Sequence, residues 1–334
     1  MFTKIYENIK KYIIKNYKEI ILYLLTLTII IYPLPYYIYV GGGTIDLDKR
    51  IDLNSNEEGS YNLAYVKQLN ATIPTYLLSF IINTWDLEKV SNVSIDEEET
   101  KIDINKRARL YLEEANNHAI LNAYKLAGKE VNIKSNNYKV IYVNKDSETN
   151  ILIGDTLLSV NGISVNNNSE YKEYLSSLDL DSDLNVKVLR DNKEVDCYAK
   201  LKNINGEKVI GLYLVNIYDY EVSPSINLKF KNNESGPSGG FMLSLAIYDR
   251  LVDEDLTKGR KIVGTGTIDA VGNVGEIGGV KYKLMGAVKD RADLFFTPVA
   301  NYEEAMETKT KYNYDIEIVS VKTLSDAIEY LKNN

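Results

Sequence analysis

Ser238 stands in Gly236-Pro237-Ser238-Gly239-Gly240, directly ahead of the apolar run Phe241-Met242-Leu243-Ser244-Leu245-Ala246-Ile247. That order of residue types presents a hydroxyl at the start of a helix. The glycines let a substrate backbone come close, and Pro237 fixes the turn. Main-chain N–H groups at a helix N-terminus can hold a developing oxyanion. Ser238 is therefore a candidate nucleophile, with Gly236, Pro237 and Gly239 as the candidate turn and oxyanion residues. The competing reading is a structural loop-to-helix turn without chemistry.

A nucleophilic serine needs a base, and the chain holds one histidine. The spacing predicts a helix over 106–127 with Ala108, Leu112, Ala115, Ala119 and Leu126 on one stripe, ended by Gly128. His118 falls on a more polar stripe with Tyr111, Glu114, Asn122 and Lys125, so it is expected to face water. The other candidate base is a lysine in Gly278-Gly279-Val280-Lys281-Tyr282-Lys283, which opens a helix over 280–289. A lysine is a base only when neutral. Its usual pKa, about 10.4, falls when it is buried among apolar groups, and Val280, Leu284, Met285, Ala287 and Val288 offer such a lining. Periodicity leaves open whether Lys281 or Lys283 turns inward; a solvated lysine is the ordinary case.

Between these two motifs lies Val263-Gly264-Thr265-Gly266-Thr267-Ile268. Gly-Thr repeats can bind phosphate, but no Gly-x-x-x-x-Gly-Lys-Ser/Thr run occurs in the chain, so no nucleotide is expected. The Thr265 hydroxyl could instead orient a neutral amine.

The elements that must position these residues are spread over 334 residues, enough for two or more domains. A hydrophobic content of 45% and a charged content of 26% are those of an ordinary folded protein. A net charge of -8 excludes a general nucleic-acid binder, which needs clustered Lys and Arg. Cys197 is the single cysteine, so no internal disulfide forms, and Cys/His zinc spacing is absent. No metal and no cofactor are expected.

Residues 1–18 carry Lys4, Lys10, Lys11, Lys15 and Lys18 against Glu7, and no charge occurs over 20–40. This pattern predicts a cytoplasmic basic segment, 1–18, and a transmembrane helix, 19–40, with Tyr36, Tyr37 and Tyr39 at the interface and the remaining chain outside the cell. A cleaved signal peptide, with Gly41-Gly42-Gly43 as the small residues, and a buried core helix are the rivals. The basic flank and Pro33 and Pro35 argue against the core helix.

Three regions follow. Over 41–130, strands and a helix are expected to pack with the C-terminal domain: strands at 44–47 and 62–66, an apolar strand or helix at 73–82, and a solvated loop at 96–99, ahead of the long helix. Residues 131–205 read as a β-rich module: a strand over 138–143, the turn and strand of Ile153-Gly154-Asp155-Thr156-Leu157-Leu158-Ser159-Val160-Asn161-Gly162, a short helix over 171–178, and a strand over 184–190 turned by Asp191-Asn192. Residues 206–334 alternate strand and helix, with strands at 209–215, 226–230, 261–264, 294–296 and 316–321 and helices at 242–251, 280–289, 302–309 and 324–332. The fold class is α+β.

The 131–205 module resembles a PDZ domain, which implies capture of peptide termini by strand addition; the usual Gly-Leu-Gly-Phe-type loop is not visible, and a plain β-rich spacer stays open. The motifs at Ser238 and Thr265, Gly272-Asn273-Val274-Gly275, and Ile277-Gly278-Gly279-Val280-Lys281-Tyr282-Lys283 fall in the order found in Lon-type protease domains. The whole chain resembles the membrane-anchored, PDZ-containing Lon-like proteases of Gram-positive bacteria, most closely over 230–300. The resemblance implies a serine endopeptidase without an ATPase, with Ser238 as nucleophile, Lys283 as general base and Thr265 supporting the lysine. Gly239 stands where that family commonly has alanine. Implied partners are polypeptide substrates that are unfolded or close to the cytoplasmic membrane, and a homo-oligomer by analogy. The alternative is a non-catalytic, membrane-tethered PDZ scaffold that binds peptides.

Overall fold

The computed structural model describes residues 2–54, 58–96, 98–165, 168–204 and 206–334. The chain divides into two units: Met1–Val40 with Lys67–Ile95, and Gly41–Val66 with Asp96–Asn334. The strands Pro33–Asp46 and Ser60–Thr72 contribute residues to both.

In the first unit, helices Phe2–Lys15 and Tyr17–Ile31 flank Asn16. The second ends at Ile31, and the chain from Pro33 onward is extended, pairing antiparallel with the strand Asp86–Lys89 (Tyr36 opposite Lys89, Tyr39 opposite Asp86). This corrects the transmembrane helix expected over 19–40. Pro33 and Pro35 each lack an N–H and cannot continue a helix, so the apolar run is split between helix and strand. The remaining 15-residue helix spans about 22 Å, short of the roughly 30 Å hydrocarbon layer. No helix among the described residues is long and apolar enough to cross a membrane. The apolar stretch left open at 73–82 forms the helix Ile73–Ser79, with Pro74 in its first turn.

The second unit holds two large sheets and two two-stranded ones, and the helix Lys101–Leu126 packs on one of the large sheets and on the helix Gly240–Leu251. In the first sheet, Glu317–Val321, Leu294–Pro298, Lys261–Gly264 and Ser60–Thr72 pair in that order, all parallel. Residues from before the β-rich module thus supply one strand of the α/β region. Around this sheet pack Gly240–Leu251, Val280–Lys289, Tyr302–Tyr312 and Leu324–Asn333. On one face the core is built from Tyr61, Phe241, Met242, Leu245 and Phe296, and on the other from Val263, Val280, Leu284 and Phe295.

The second sheet is antiparallel, in the order Leu212–Ser223, Glu130–Val143, Thr156–Val160, Asp183–Arg190, Lys193–Lys200. Asp191 and Asn192 both have positive φ and make the tight turn between its last two strands. The helix Asn168–Ser177 packs Leu175 into its core with Val140, Leu157, Val186 and Val188. Asp155 of the Ile-Gly-Asp motif is buried and takes two hydrogen bonds from the Arg190 guanidinium, at 2.8 and 2.6 Å. Glu130 and Ser223 face each other at one end of a ladder that continues to Val143 opposite Leu212.

Three further expectations change. Residues 226–230 are extended but form no strand: a single bridge joins Leu228 to Ile51. The strand expected over 209–215 is interrupted at Ile210-Gly211, where Gly211 has a φ of 83°. The loop 96–99 is not fully solvated, because Glu99 is buried against Arg107 (2.8 Å) and Asp96 accepts from the Tyr142 hydroxyl; Glu97 lies outside the described residues.

Candidate active site

The serine turn is tied to the fold on both sides. Gly236, at a φ of 88°, donates its N–H to the Ala108 carbonyl of the long helix (2.8 Å). The Ser238 carbonyl accepts from Gly266 N–H at 2.9 Å and from the Thr265 hydroxyl at 3.0 Å. Phe241 N–H donates to the Gly266 carbonyl at 3.1 Å. The helix that follows, Gly240–Leu251, buries Phe241, Met242, Leu243, Leu245, Ala246 and Ile247 completely, so its N-terminal turn is held by core packing. Ser238 itself is half-buried. The N–H groups of Ser238 and Gly239 have no main-chain partner among the described residues, as expected of a first helical turn.

Lys283 lies in Val280–Lys289 and is 3% exposed. Its Nζ donates to Thr265 Oγ1 at 3.0 Å. Burial lowers its pKa from the ordinary lysine range to about 7. Lys281 is half-buried, with its Nζ 4.9 Å from the centre of the Tyr282 ring. The lysine that turns inward is therefore Lys283. The Lys283 helix lies close against the later part of the strand Pro33–Asp46: a Cβ on Gly286 would sit 3.1 Å from the Gly43 backbone. Thr44 adds bonds from its N–H and hydroxyl to Asp290, both 2.8 Å. Gly41-Gly42-Gly43, singled out as a possible processing site, thus includes a close backbone contact with the lysine helix.

Thr265, completely buried, joins the two motifs. Its one hydroxyl proton goes to the Ser238 carbonyl, and it accepts from Lys283. Its own N–H donates to the Phe296 carbonyl at 3.1 Å. Ser238, Thr265 and Lys283 thus form one hydrogen-bonded chain, in which the lysine reaches the serine residue through the threonine; no hydrogen bond joins Lys283 Nζ to Ser238 Oγ among the described residues.

His118 departs from expectation. It is 9% exposed, with Nδ1 3.3 Å from the Ile268 carbonyl and Nε2 unpartnered among the described residues. Residues 117–124 are buried around the whole helix circumference, because elements pack on both the apolar and the polar stripe, which a single-helix periodicity does not reveal. Asn122, from the same stripe, holds the His118 and Asp269 carbonyls. Sequence reasoning also passed over Asn301, a buried amide that grips the main chain just ahead of the lysine helix. Its position three residues past a strand-ending Pro298 was the only signal available. No group of three or more His, Cys, Asp or Glu side chains suited to a metal ion occurs among the described residues.

Comparison with known proteins assigns both regions. Residues 126–201 match the PDZ domain, and residues 232–333 match the Lon protease (S16) C-terminal proteolytic domain. The chain is similar to the Lon protease of Campylobacter jejuni, 33% identical over 120 residues, which is 35% of this chain and 14% of that protein. It is also similar to the Lon protease of Helicobacter pylori strain J99, 29% identical over 150 residues, 43% of this chain and 17% of that protein. The chain therefore spans about a sixth of the length of these curated relatives. Among solved structures, the PDZ domain of an SdrC-like protein from Listeria monocytogenes matches at 21% identity and a TM-score of 0.22, covering 23% of this chain and 86% of that one. The chain thus combines a stretch that matches the PDZ domain with one that matches the Lon-type C-terminal proteolytic domain.

Proposed function

We propose that this chain is a serine endopeptidase in which Ser238 is the nucleophile and Lys283 the general base, working without nucleotide on unfolded or membrane-proximal polypeptide outside the cytoplasmic membrane. One observation carries the chemistry: a buried lysine, with its pKa lowered to about 7, is linked through Thr265 to the turn that presents Ser238. Thr265 has a single proton, and it is committed to the Ser238 carbonyl. Toward Lys283 the threonine offers only lone pairs, so the amine must spend an N–H there. The lone pair of the neutral amine is then left to point elsewhere, available to the Ser238 proton.

In the proposed reaction, neutral Lys283 takes the proton from Ser238 Oγ as that oxygen attacks the peptide carbonyl carbon. The N–H groups of Ser238 and Gly239 hold the oxyanion. Lys283 returns the proton to the leaving amine, the C–N bond breaks, and water cleaves the acyl-serine ester by the same route. Ser238→Ala tests this directly: loss of cleavage of an unfolded test protein, with unchanged thermal unfolding, is expected. Full turnover by that variant would leave the peptide-binding scaffold as the better reading. Adding or chelating Mg-ATP should not alter the rate.

The membrane reading rests on the helix Tyr17–Ile31, which has no buried residue, beside exposed Lys10, Lys11, Lys15 and Lys18. Flotation with anionic lipid vesicles should carry the full chain to the top of the gradient and leave a variant starting at Gly41 at the bottom. Assembly into a homo-oligomer is proposed by analogy alone, and light scattering tests it.

A further inference from the structure

Asn301 occupies the position before the helix Tyr302–Tyr312, where an asparagine ordinarily accepts from the first-turn N–H groups of its own helix. Here it makes no such bond. Its side-chain amide turns instead to Ile277. Oδ1 accepts from Ile277 N–H at 2.9 Å, and Nδ2 donates to the Ile277 carbonyl at 2.9 Å. The residue is 3% exposed, so both bonds are shielded from water. An asparagine amide that pairs with both main-chain groups of one residue mimics a β-bridge and fixes the position and the orientation of that residue.

Ile277 is two residues ahead of Gly279, which has a φ of 69° and starts the Lys283 helix without any side-chain cap. Lys283 N–H donates to the Gly279 carbonyl at 3.2 Å. The start of this helix is therefore positioned by what holds Ile277. Asn301 in turn follows the strand Leu294–Pro298, whose Phe296 carbonyl anchors Thr265 at 3.1 Å. Both members of the 3.0 Å contact between Lys283 and Thr265 are thus referenced to the same short segment, 294–301.

We infer that Asn301 is a positioning residue that sets the depth at which Lys283 Nζ meets Thr265, and that it does so by forgoing the cap of its own helix. The inference rests on the peptidase reading for its functional meaning, but its physical content can be read without turnover.

The experiment uses the full chain, wild type and Asn301→Leu, with Asn301→Ser as the milder substitution in case the first fails to fold. Trace acetic anhydride labelling across pH, followed by peptide mass spectrometry, reports the titration midpoint of the Lys283 amine. The Lys281 amine serves as the internal reference. The wild-type midpoint is expected near 7. In the variants it should move up toward the ordinary lysine value as the helix start loosens and water reaches the amine, while Lys281 stays where it was. Turnover should fall about tenfold or more in kcat with little change in KM, because misplacing the base affects the chemical step. A variant that unfolds at lower temperature but keeps the Lys283 midpoint and the wild-type kcat would overturn the inference and leave Asn301 a purely structural residue. A shifted midpoint in a chain that never cleaves peptide would uphold the positioning role and remove the peptidase reading; cleavage with no shift does the reverse.

Discussion

At the scale of single residues, the site balances stability against chemistry. Holding Lys283 away from water lowers its pKa to about 7, which makes it a base near neutrality. The same burial penalises the protonated form. The unfolded chain binds the proton more tightly between about pH 7 and 10.5, so this residue makes stability rise with pH across that window. Lys283→Met should therefore abolish cleavage and yet raise the melting temperature. The gain, on the order of 4 kcal/mol near pH 7, should shrink toward zero by about pH 10.5. Calorimetry at several pH values checks this. Lys281→Met should leave kcat within about threefold. In the wild type, kcat/KM should climb as pH rises through about 7, the limb on which the amine loses its proton. At Gly239, a Cβ would meet Leu63 Cδ2 at 3.1 Å, and the backbone angles, -99° and -8°, suit any residue. Gly239→Ala should accordingly fold and cleave like the wild type, with thermal stability altered by less than about 1 kcal/mol.

At the scale of elements, the helix Lys101–Leu126 organises both sheets. Its Ala108 carbonyl holds the serine turn, and Ser244 donates to its Ala119 carbonyl (3.0 Å). On another side, Glu114 accepts from Asn216 N–H, and Asn117 pairs with both main-chain groups of Tyr218 at 2.8 and 3.0 Å. These bonds satisfy the outer edge of Leu212–Ser223 that would otherwise be open to another strand. Asn117→Ala removes two of them and should cost about 1–3 kcal/mol in urea unfolding, with little effect on kcat. The helix also shows what the sequence could not reveal. The serine turn, the threonine and the lysine helix were legible as elements because each carries local glycine punctuation, followed at the serine by an apolar run. The helix 280–289 appears with the expected bounds. The burial of His118 was not legible, since it depends on which elements pack against the polar stripe. The split of the apolar N-terminal run was half legible: Pro33 and Pro35 were visible in the sequence, but the strand partner Asp86–Lys89, rich in charge, was not.

At the scale of the whole molecule, the comparisons cover 126–201 and 232–333, but the fold does not divide there. Leu63 pairs with Gly264 from outside both matched regions, and the long helix lies almost wholly outside them. A fragment holding only 232–333 should fail to give a cooperative unfolding transition, because the strand Lys261–Gly264 loses one neighbour and Phe241, Met242 and Leu243 lose the helix that covers them. Asp249 adds a global signature. It is 4% exposed, and burial raises its pKa to about 6, so the folded chain binds that proton more tightly and stability falls as pH rises from about 3.8 to 6. Asp249→Asn should be stabilising at pH 7 and neutral near pH 4.

The ladder from Glu130 opposite Ser223 to Val143 opposite Leu212 has a consequence for ancestry and exchange. The chain leaves toward the PDZ region and returns through two adjacent strands, so everything between Val143 and Leu212 is one excursion with touching ends. Such an excursion can be gained, lost or swapped without rethreading the remaining chain, since a two-residue turn would close the gap. Replacing 144–211 by Asn-Gly would leave an ordinary hairpin lying on the long helix, still held by Glu114 and Asn117. Residues 144–211 are thus a detachable excursion from a two-strand stem that rests on the long helix.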